Sequence, residues 1–284
     1  MRVSIVVSTY NAPDWLEKVL WGYAAQTHRD FELVVADDGS TDETRERIDR
    51  VRAATGLELR HVWHEDRGYR RQTILNRAIL ETRTDYVLFT DGDCIPRSDF
   101  VAVHVAHAAP GRFLSGGYCK LPLDLSRRIE REDVLSGRCF DPAWLRGNGL
   151  RGRSQLRKLS ARGGWARLLD ATTPARATFN NCNSSAWKRD LLAVNGYDER
   201  MQYGGADREI GERLVHLGVR GKQIRHRAVV LHLDHARGYK TQESIDRNLA
   251  IRREVRRRRL AWTPFGIARD PAQRDGGGTP GPTP

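Results

Sequence analysis

Hydrophobic positions in the first hundred residues alternate between short continuous apolar runs and segments with helical spacing. Val3 to Ser8, Glu32 to Ala36, Glu58 to Trp63 and Tyr86 to Thr90 read as strands, while Asp14 to Ala25, Asp42 to Ala54 and Arg70 to Glu81 repeat their apolar residues at helical intervals. Ser40 or Thr41 is available to cap the second helix. This βαβα alternation predicts an α/β fold: a doubly wound, mostly parallel sheet with helices on both faces. Beyond residue 110 the pattern weakens. Residues 112 to 175 are basic, Gly-rich and without a clear period, which predicts an irregular, mobile segment. Helical spacing returns over 185–219, and Ala228 to Leu233 reads as one more strand. The tail from 269 to 284, ending Gly-Gly-Gly-Thr-Pro-Gly-Pro-Thr-Pro, is predicted to be disordered.

Composition narrows the class without deciding the function. At 284 residues and 39% hydrophobic, the chain can bury a conventional core. No apolar run approaches the roughly 20 residues of a spanning helix, and Met1 to Val7 reads as a strand rather than a signal peptide, so a cytoplasmic protein is expected. Cys94, Cys119, Cys139 and Cys182 form no Cys-x-x-Cys pair, which predicts reduced, mostly buried thiols. A net charge of +12 would suit nucleic acid, an anionic membrane surface or a phosphorylated substrate. Basic residues crowd Arg146 to Arg167 and Arg252 to Arg259, where six of eight residues are arginine. Either cluster can be a plain solvated face. The second is followed by Leu260-Ala261-Trp262 and Phe265, which also fits peripheral attachment to an anionic membrane.

The chemistry concentrates at strand ends. Tyr86-Val87-Leu88-Phe89-Thr90 runs into Asp91-Gly92-Asp93, two carboxylates one residue apart on a rigid support, as a hard divalent cation requires. Asp37-Asp38-Gly39-Ser40-Thr41-Asp42 follows the second strand, and turn chemistry alone would explain it. Yet Ser8-Thr9-Tyr10-Asn11 ends the first strand beside it, so three polar strand ends share one sheet edge, where open α/β sheets bind ligands. A metal with a phosphate there points to a nucleotide sugar. No G-x-G-x-x-G follows the first strand, which disfavours a dinucleotide site. A sugar nucleotidyltransferase is an alternative, but Ser8 to Pro13 lacks the Gly-rich basic loop it would need. A nucleic-acid-binding protein would use the arginines and leave Asp38, Asp91, Asp93 and Asp207 idle, and acids in a crevice repel phosphate without a cation. No nucleic-acid partner is expected.

These residues, with Gln26-Thr27, Phe31 to Asp42, Gly68 through Asn76-Arg77-Ala78-Ile79 and Asp91-Gly92-Asp93, resemble family 2 glycosyltransferases of the GT-A fold. The resemblance implies a nucleotide-binding set of Ser8, Thr9, Tyr10, Asp38, Arg70, Arg71, Asn76 and Asp91. Asp38 would read the base, Arg70 or Arg71 would place a cation near the phosphates, and Asp91 and Asp93 would hold ribose and metal. A second block, Asn183 to Trp187, Leu192 to Glu199 and Tyr203 to Glu209, is similar to the C-terminal half of galactosyltransferases and bacterial chondroitin-type polymerases. It implies Asp207 as the base on the acceptor hydroxyl and Asn183, Gly204, Gly205 and Glu209 on the acceptor side. Ala206 stands where that family carries Glu. From residue chemistry alone, Asp207 and Glu209 are simply acids favoured in a helix's first turn. The resemblance favours His232 over His235 as a further metal ligand, and mixed imidazole and carboxylate ligation suits Mn2+ before Mg2+.

The expected activity is an inverting, metal-dependent transfer of a hexose or N-acetylhexosamine from a UDP-sugar to a glycan or lipid-linked acceptor, in surface polysaccharide assembly. Residues 1–110 would bind the nucleotide sugar, and 111–268 would bind the acceptor and end in the basic helix.

Overall fold

The computed structural model describes residues 1–235 and 240–268, so the tail expected to be disordered lies outside the described residues. The first half follows the predicted alternation. Strand β1 (Val3–Thr9) leads to helix α1 (Pro13–Ala24), then β2 (Phe31–Asp37), α2 (Asp42–Thr55), β3 (Leu59–Trp63), α3 (Arg71–Glu81) and β4 (Tyr86–Asp91). β1 to β4 pair in parallel, in the order β3-β2-β1-β4. Each central strand is apolar on both faces because each face meets its own core. Ile5, Leu33 and Leu88 point into one cluster with α1 and α2, and Val6, Val34 and Val87 into another with α3.

Residues 112 to 175 correct the sequence reading. After β5 (Cys94–Pro96) and α4 (Phe100–His107), the chain forms not an irregular segment but β6 (Arg112–Ser115), β7 (Gly117–Lys120), and then five short helices. These are α5 (Leu123–Arg128), α6 (Arg131–Leu135), α7 (Pro142–Gly147), α8 (Arg153–Ser160) and α9 (Gly163–Thr172). Helices of five to ten residues span too few turns to print a period. Local caps hold them: Asp141 accepts from the Ala143 and Trp144 N–H groups, and Glu130 and Asp133 form a reciprocal capping box.

The chain then continues through β8 (Ser184–Trp187), α10 (Lys188–Ala193), α11 (Ala206–His216), β9 (Arg220–Gln223), β10 (Val229–His232) and α12 (Gln242–Arg258). β8 adds antiparallel to β4, and β6 and β9 follow, so strands from both sides of residue 110 share a seven-stranded sheet. A second sheet has the order β5-β10-β7. Among the described residues no helix is long and apolar enough to cross a membrane. In α12, Arg252 pairs with Glu212 at 2.6 Å, and Arg257 and Arg258 pair with Glu254.

Candidate active site

The strand ends open into a cleft of about 1870 Å3. Ser8 lies opposite Asp91 and Thr9 opposite Asp37 in the parallel register, which puts the three polar ends side by side. The two acids after β2 divide their work. Asp37 is buried and closes the turn, accepting from Ser40 N–H at 2.9 Å and meeting His61 Nε2 at 2.8 Å. Asp38 lines the cleft, with Oδ1 2.8 Å from His64 Nε2 and Oδ2 accepting the Arg70 N–H at 3.0 Å. Burial raises its pKa against the pull of His64 and that amide. Gly39 sits at φ +95°, and a Cβ there would come within 2.6 Å of Asp66 Cα. The expected cap on α2 is absent. Ser40 Oγ instead accepts the Asn11 N–H at 2.8 Å, and Asn11 Oδ1 accepts the Thr41 N–H at 3.0 Å, which ties the β1 loop to the β2 turn.

Asp91 and Asp93 face different basic side chains. Asp91 accepts from the Arg71 guanidinium and from Ser8 Oγ at 3.0 Å, and Arg71 also donates to Ser8 Oγ at 2.7 Å. Burial and then the neighbouring Asp93 charge push the Asp91 carboxyl up, while Arg71 opposes them. Asp93 accepts from the Cys94 thiol at 3.2 Å and lies 2.9 Å from His235 Nε2 and 3.7 Å from His232 Nε2. Its burial would raise the pKa, but the hydrogen bond to His235 and the two imidazoles outweigh it and hold the carboxylate ionised. Both histidines therefore face Asp93, His235 more closely than the His232 that the resemblance favours. The two imidazole rings stack with centroids 6.3 Å apart, because the chain leaves the strand geometry at Leu233 and the period of two no longer applies. Ligand atoms of Asp93, Cys94 and His232 lie within 4.8 Å of one another. Burial pushes the Cys94 thiol well up, so the carboxylate and imidazoles are the donors best suited to a divalent cation.

Asp207, Gly204 and Gly205 line the same cleft. Gly204 and Gly205 take φ of +104° and +83°, a conformation that suits glycine, and they deliver the chain into α11 with Asp207 in its first turn. Asp207 is half-buried and acts electrostatically on Arg71, Tyr197 and Cys182. Arg70 contributes its backbone N–H to Asp38, whereas the side chain of Arg71 is the one in the cleft.

Three expected site residues are buried and lie outside the cleft lining. Glu209 is fully buried in an ion pair with Arg213 at 2.6 and 2.7 Å. Asn183 donates to the Gly117 and Ala228 carbonyls at 2.7 and 3.0 Å and meets His104 Nε2 at 3.0 Å. Asn76 exchanges bonds with the Tyr197 backbone and donates to Glu199, which clamps α3 to the second half. Asn76→Ala is expected to lower stability by about 2 kcal/mol, through unpaired buried backbone groups, with nucleotide affinity unchanged. Chemical denaturation alongside a nucleotide titration checks this, and weakened nucleotide binding at unchanged stability would return Asn76 to the site.

Sequence reasoning passed over His64, Tyr118 and Asn181. His64 follows β3 with no motif around it, Tyr118 lies in the region without period, and Asn181 precedes the block that carried the resemblance. Thr9 Oγ1, Gln72 Oε1 and Asn181 Nδ2 are buried at the cleft with no partner among the described residues. Buried polar atoms normally pair, so a cleft carrying three of them is fitted to a polar ligand.

Residues 4–118 match the sequence model described as Glycosyl transferase family 2. Over these residues the chain is similar to family 2 glycosyltransferases. Validoxylamine A glucosyltransferase of Streptomyces hygroscopicus subsp. jinggangensis is 38% identical over 112 residues, 38% of this chain and 26% of that protein. An uncharacterized glycosyltransferase of Bacillus subtilis, YfnE, is 26% identical over 88% of this chain and 69% of its own length. The matched part spans only about a quarter of the length of the first curated relatives. The structure resembles Staphylococcus aureus TarS in complex with UDP-GlcNAc, with TM-score 0.58 and 17% identity over 84% of this chain and 60% of that one. It also resembles the mannosyltransferase PcManGT of Pyrobaculum calidifontis in complex with GDP-Man and Mn2+, with TM-score 0.56 and 22% identity over 84% and 58% of the two chains. These likenesses show the GT-A fold. The family 2 match ends before Asp207, His232 and His235.

Proposed function

We propose that the protein is an inverting glycosyltransferase that takes its sugar from a nucleotide diphosphate donor, UDP-linked in the first instance, and passes it to a glycan or lipid-linked acceptor. The observation that carries the reading is the convergence of Asp38, Asp91, Asp93 and Asp207 on one cleft, with Asp207 arriving from the opposite half of the chain. Asp38 and the Ser8 to Tyr10 loop bind the base and Asp91 the ribose. Asp93 with His232 and His235 would hold a divalent cation, Mn2+ or Mg2+, which when bound neutralises the leaving diphosphate. Asp207 takes the proton from the acceptor hydroxyl, whose oxygen forms the new bond to the anomeric carbon. The bond from that carbon to the diphosphate oxygen breaks, and the diphosphate leaves with the electron pair. A single displacement of this kind inverts the anomeric centre and needs no protein nucleophile.

The TarS and PcManGT complexes favour a nucleotide-sugar donor, and the Mn2+ in the second favours a metal. UDP, GDP, dTDP and CMP are compared by thermal shift with and without Mn2+. A rise in melting temperature that needs both UDP and Mn2+ supports the reading, and no shift with any nucleotide sinks it. In the same assay Asp93→Ala is expected to remove the Mn2+-dependent part of UDP binding, about tenfold or more in affinity. Unchanged Mn2+ dependence in that variant would take Asp93 out of the metal set. Attachment to an anionic membrane through Arg252 to Arg259 is a secondary element of the proposal, tested by sedimentation with anionic vesicles.

A further inference from the structure

Part of the positive charge in the cleft is already engaged. Arg71 is held by Asp91, Arg47 by Asp14 and Glu17, and the Lys18 ammonium donates to the Ser126 and Arg127 carbonyls. Lys120, Arg176, Arg208 and Arg225 also line the cleft, and none has a carboxylate partner among the described residues. They come from the second half of the chain. Gln223 Nε2 donates to Arg176 O at 2.9 Å, Ile224 N to Ser115 O at 2.9 Å, and Ser115 Oγ to Thr178 O at 2.8 Å. The segments bearing Arg176 and Arg225 therefore border the same strip of wall, Ser115–Gly116.

Exposed arginines are usually just solvated, and Arg176 and Arg208 are exposed. Three observations set this wall apart. The cations sit in a concave surface, which concentrates their field. Arg225 is half-buried, and the Lys158 amine behind it is pushed down, first by burial and next by the Arg225 charge. Asn181, only 3% exposed on the same lining, has its Oδ1 occupied by the Tyr197 hydroxyl and its Nδ2 without a partner among the described residues. A buried N–H donor and unneutralised guanidinium groups lining one cleft are the chemistry that receives an oxyanion.

We propose that Arg176, Arg225 and Asn181 form a subsite for an oxyanion carried by the acceptor, so that the enzyme extends a phosphorylated or uronate-bearing glycan rather than a neutral one. This rests on the transferase reading. The donor diphosphate is the competing oxyanion, but in the proposed reading it lies at the Asp93, His232 and His235 end of the cleft.

The test titrates the full chain, with and without saturating UDP and Mn2+, against maltotetraose, maltotetraose bearing one phosphate monoester, and tetragalacturonate. The charged tetramers are expected to bind about tenfold more tightly than the neutral one, and their order identifies the oxyanion. Arg176→Gln/Arg225→Gln is expected to erase that preference with UDP affinity within about twofold of wild type, and Asn181→Ala to weaken it. Arg253→Gln/Arg257→Gln on the outer helix is expected to keep it. Equal binding of charged and neutral tetramers, or a preference that survives the first double variant, would overturn the subsite. Loss of UDP affinity in that variant would assign the cations to the donor, and equal loss in the outer-helix variant would reveal diffuse charge attraction. Absence of UDP binding by the wild-type chain sinks the transferase reading instead, and the titration without UDP reads the charge preference separately.

Discussion

Replacing Asp207 by Asn is expected to lower sugar transfer about 10³-fold, the range typical of losing a positioned base. UDP binding in the presence of Mn2+ should stay within about twofold of wild type, since the proposed reading puts Asp207 on the acceptor side and the donor contacts on the strand ends. The substitution preserves shape, and the bond that Asp207 Oδ1 accepts from the Arg208 N–H at 2.8 Å can be kept by the amide oxygen. Folding should therefore be undisturbed. Steady-state transfer measured beside a UDP titration checks both halves of the claim. Normal turnover would remove Asp207 from the catalytic role, and loss of UDP binding would move it to the donor site.

Two residues along the same helix, Glu209→Ala is expected to act on stability instead, costing about 3 to 5 kcal/mol. Both members of its pair with Arg213 are fully buried, so the deletion strands a charge where water cannot reach it. Arg213 also donates to the carbonyls of Val194 and Gly196, which fixes the turn ahead of Tyr197. The double variant Glu209→Met/Arg213→Leu should lose less than Glu209→Ala, leaving two carbonyls unpaired but no isolated charge. Urea unfolding of the three proteins reads this ordering. A loss below about 1 kcal/mol for Glu209→Ala would mean that water reaches Arg213.

Asp207 and Glu209 mark the limit of what the sequence could tell. Both lie in the first turn of α11, and nothing in their spacing says that one lines a cleft while the other is sealed beneath the helix. The strand ends were legible because β1, β2 and β4 are apolar on both faces and stop abruptly at Ser8, Asp37 and Asp91. The helices of 112–175 were not legible, since their order comes from short capped turns packed on a distant core rather than from a repeating stripe. The approach of His235 to Asp93 was not legible for a related reason: its place depends on where the last strand stops, and strand ends are set by tertiary contacts. Asn76 and Asn183 sit in recognisable motifs, yet each spends its amide on backbone groups of another segment.

The small sheet β5-β10-β7 gives the cation end of the cleft a distinct assembly history. Asp93 immediately precedes β5, and the histidines come with β10, 139 residues further along if counted from Asp93 to His232 (232 − 93). The Leu233 N–H donates back to the Asp93 carbonyl at 2.8 Å, fastening the two stretches beside Asp93 and His232. The strand-end face, by contrast, is complete once β4 has paired with β1. A growing chain can therefore complete the proposed base pocket long before the proposed cation site exists, and closing so long a loop carries the larger entropic cost. On the proposed reading, metal binding would report that the last strand has docked.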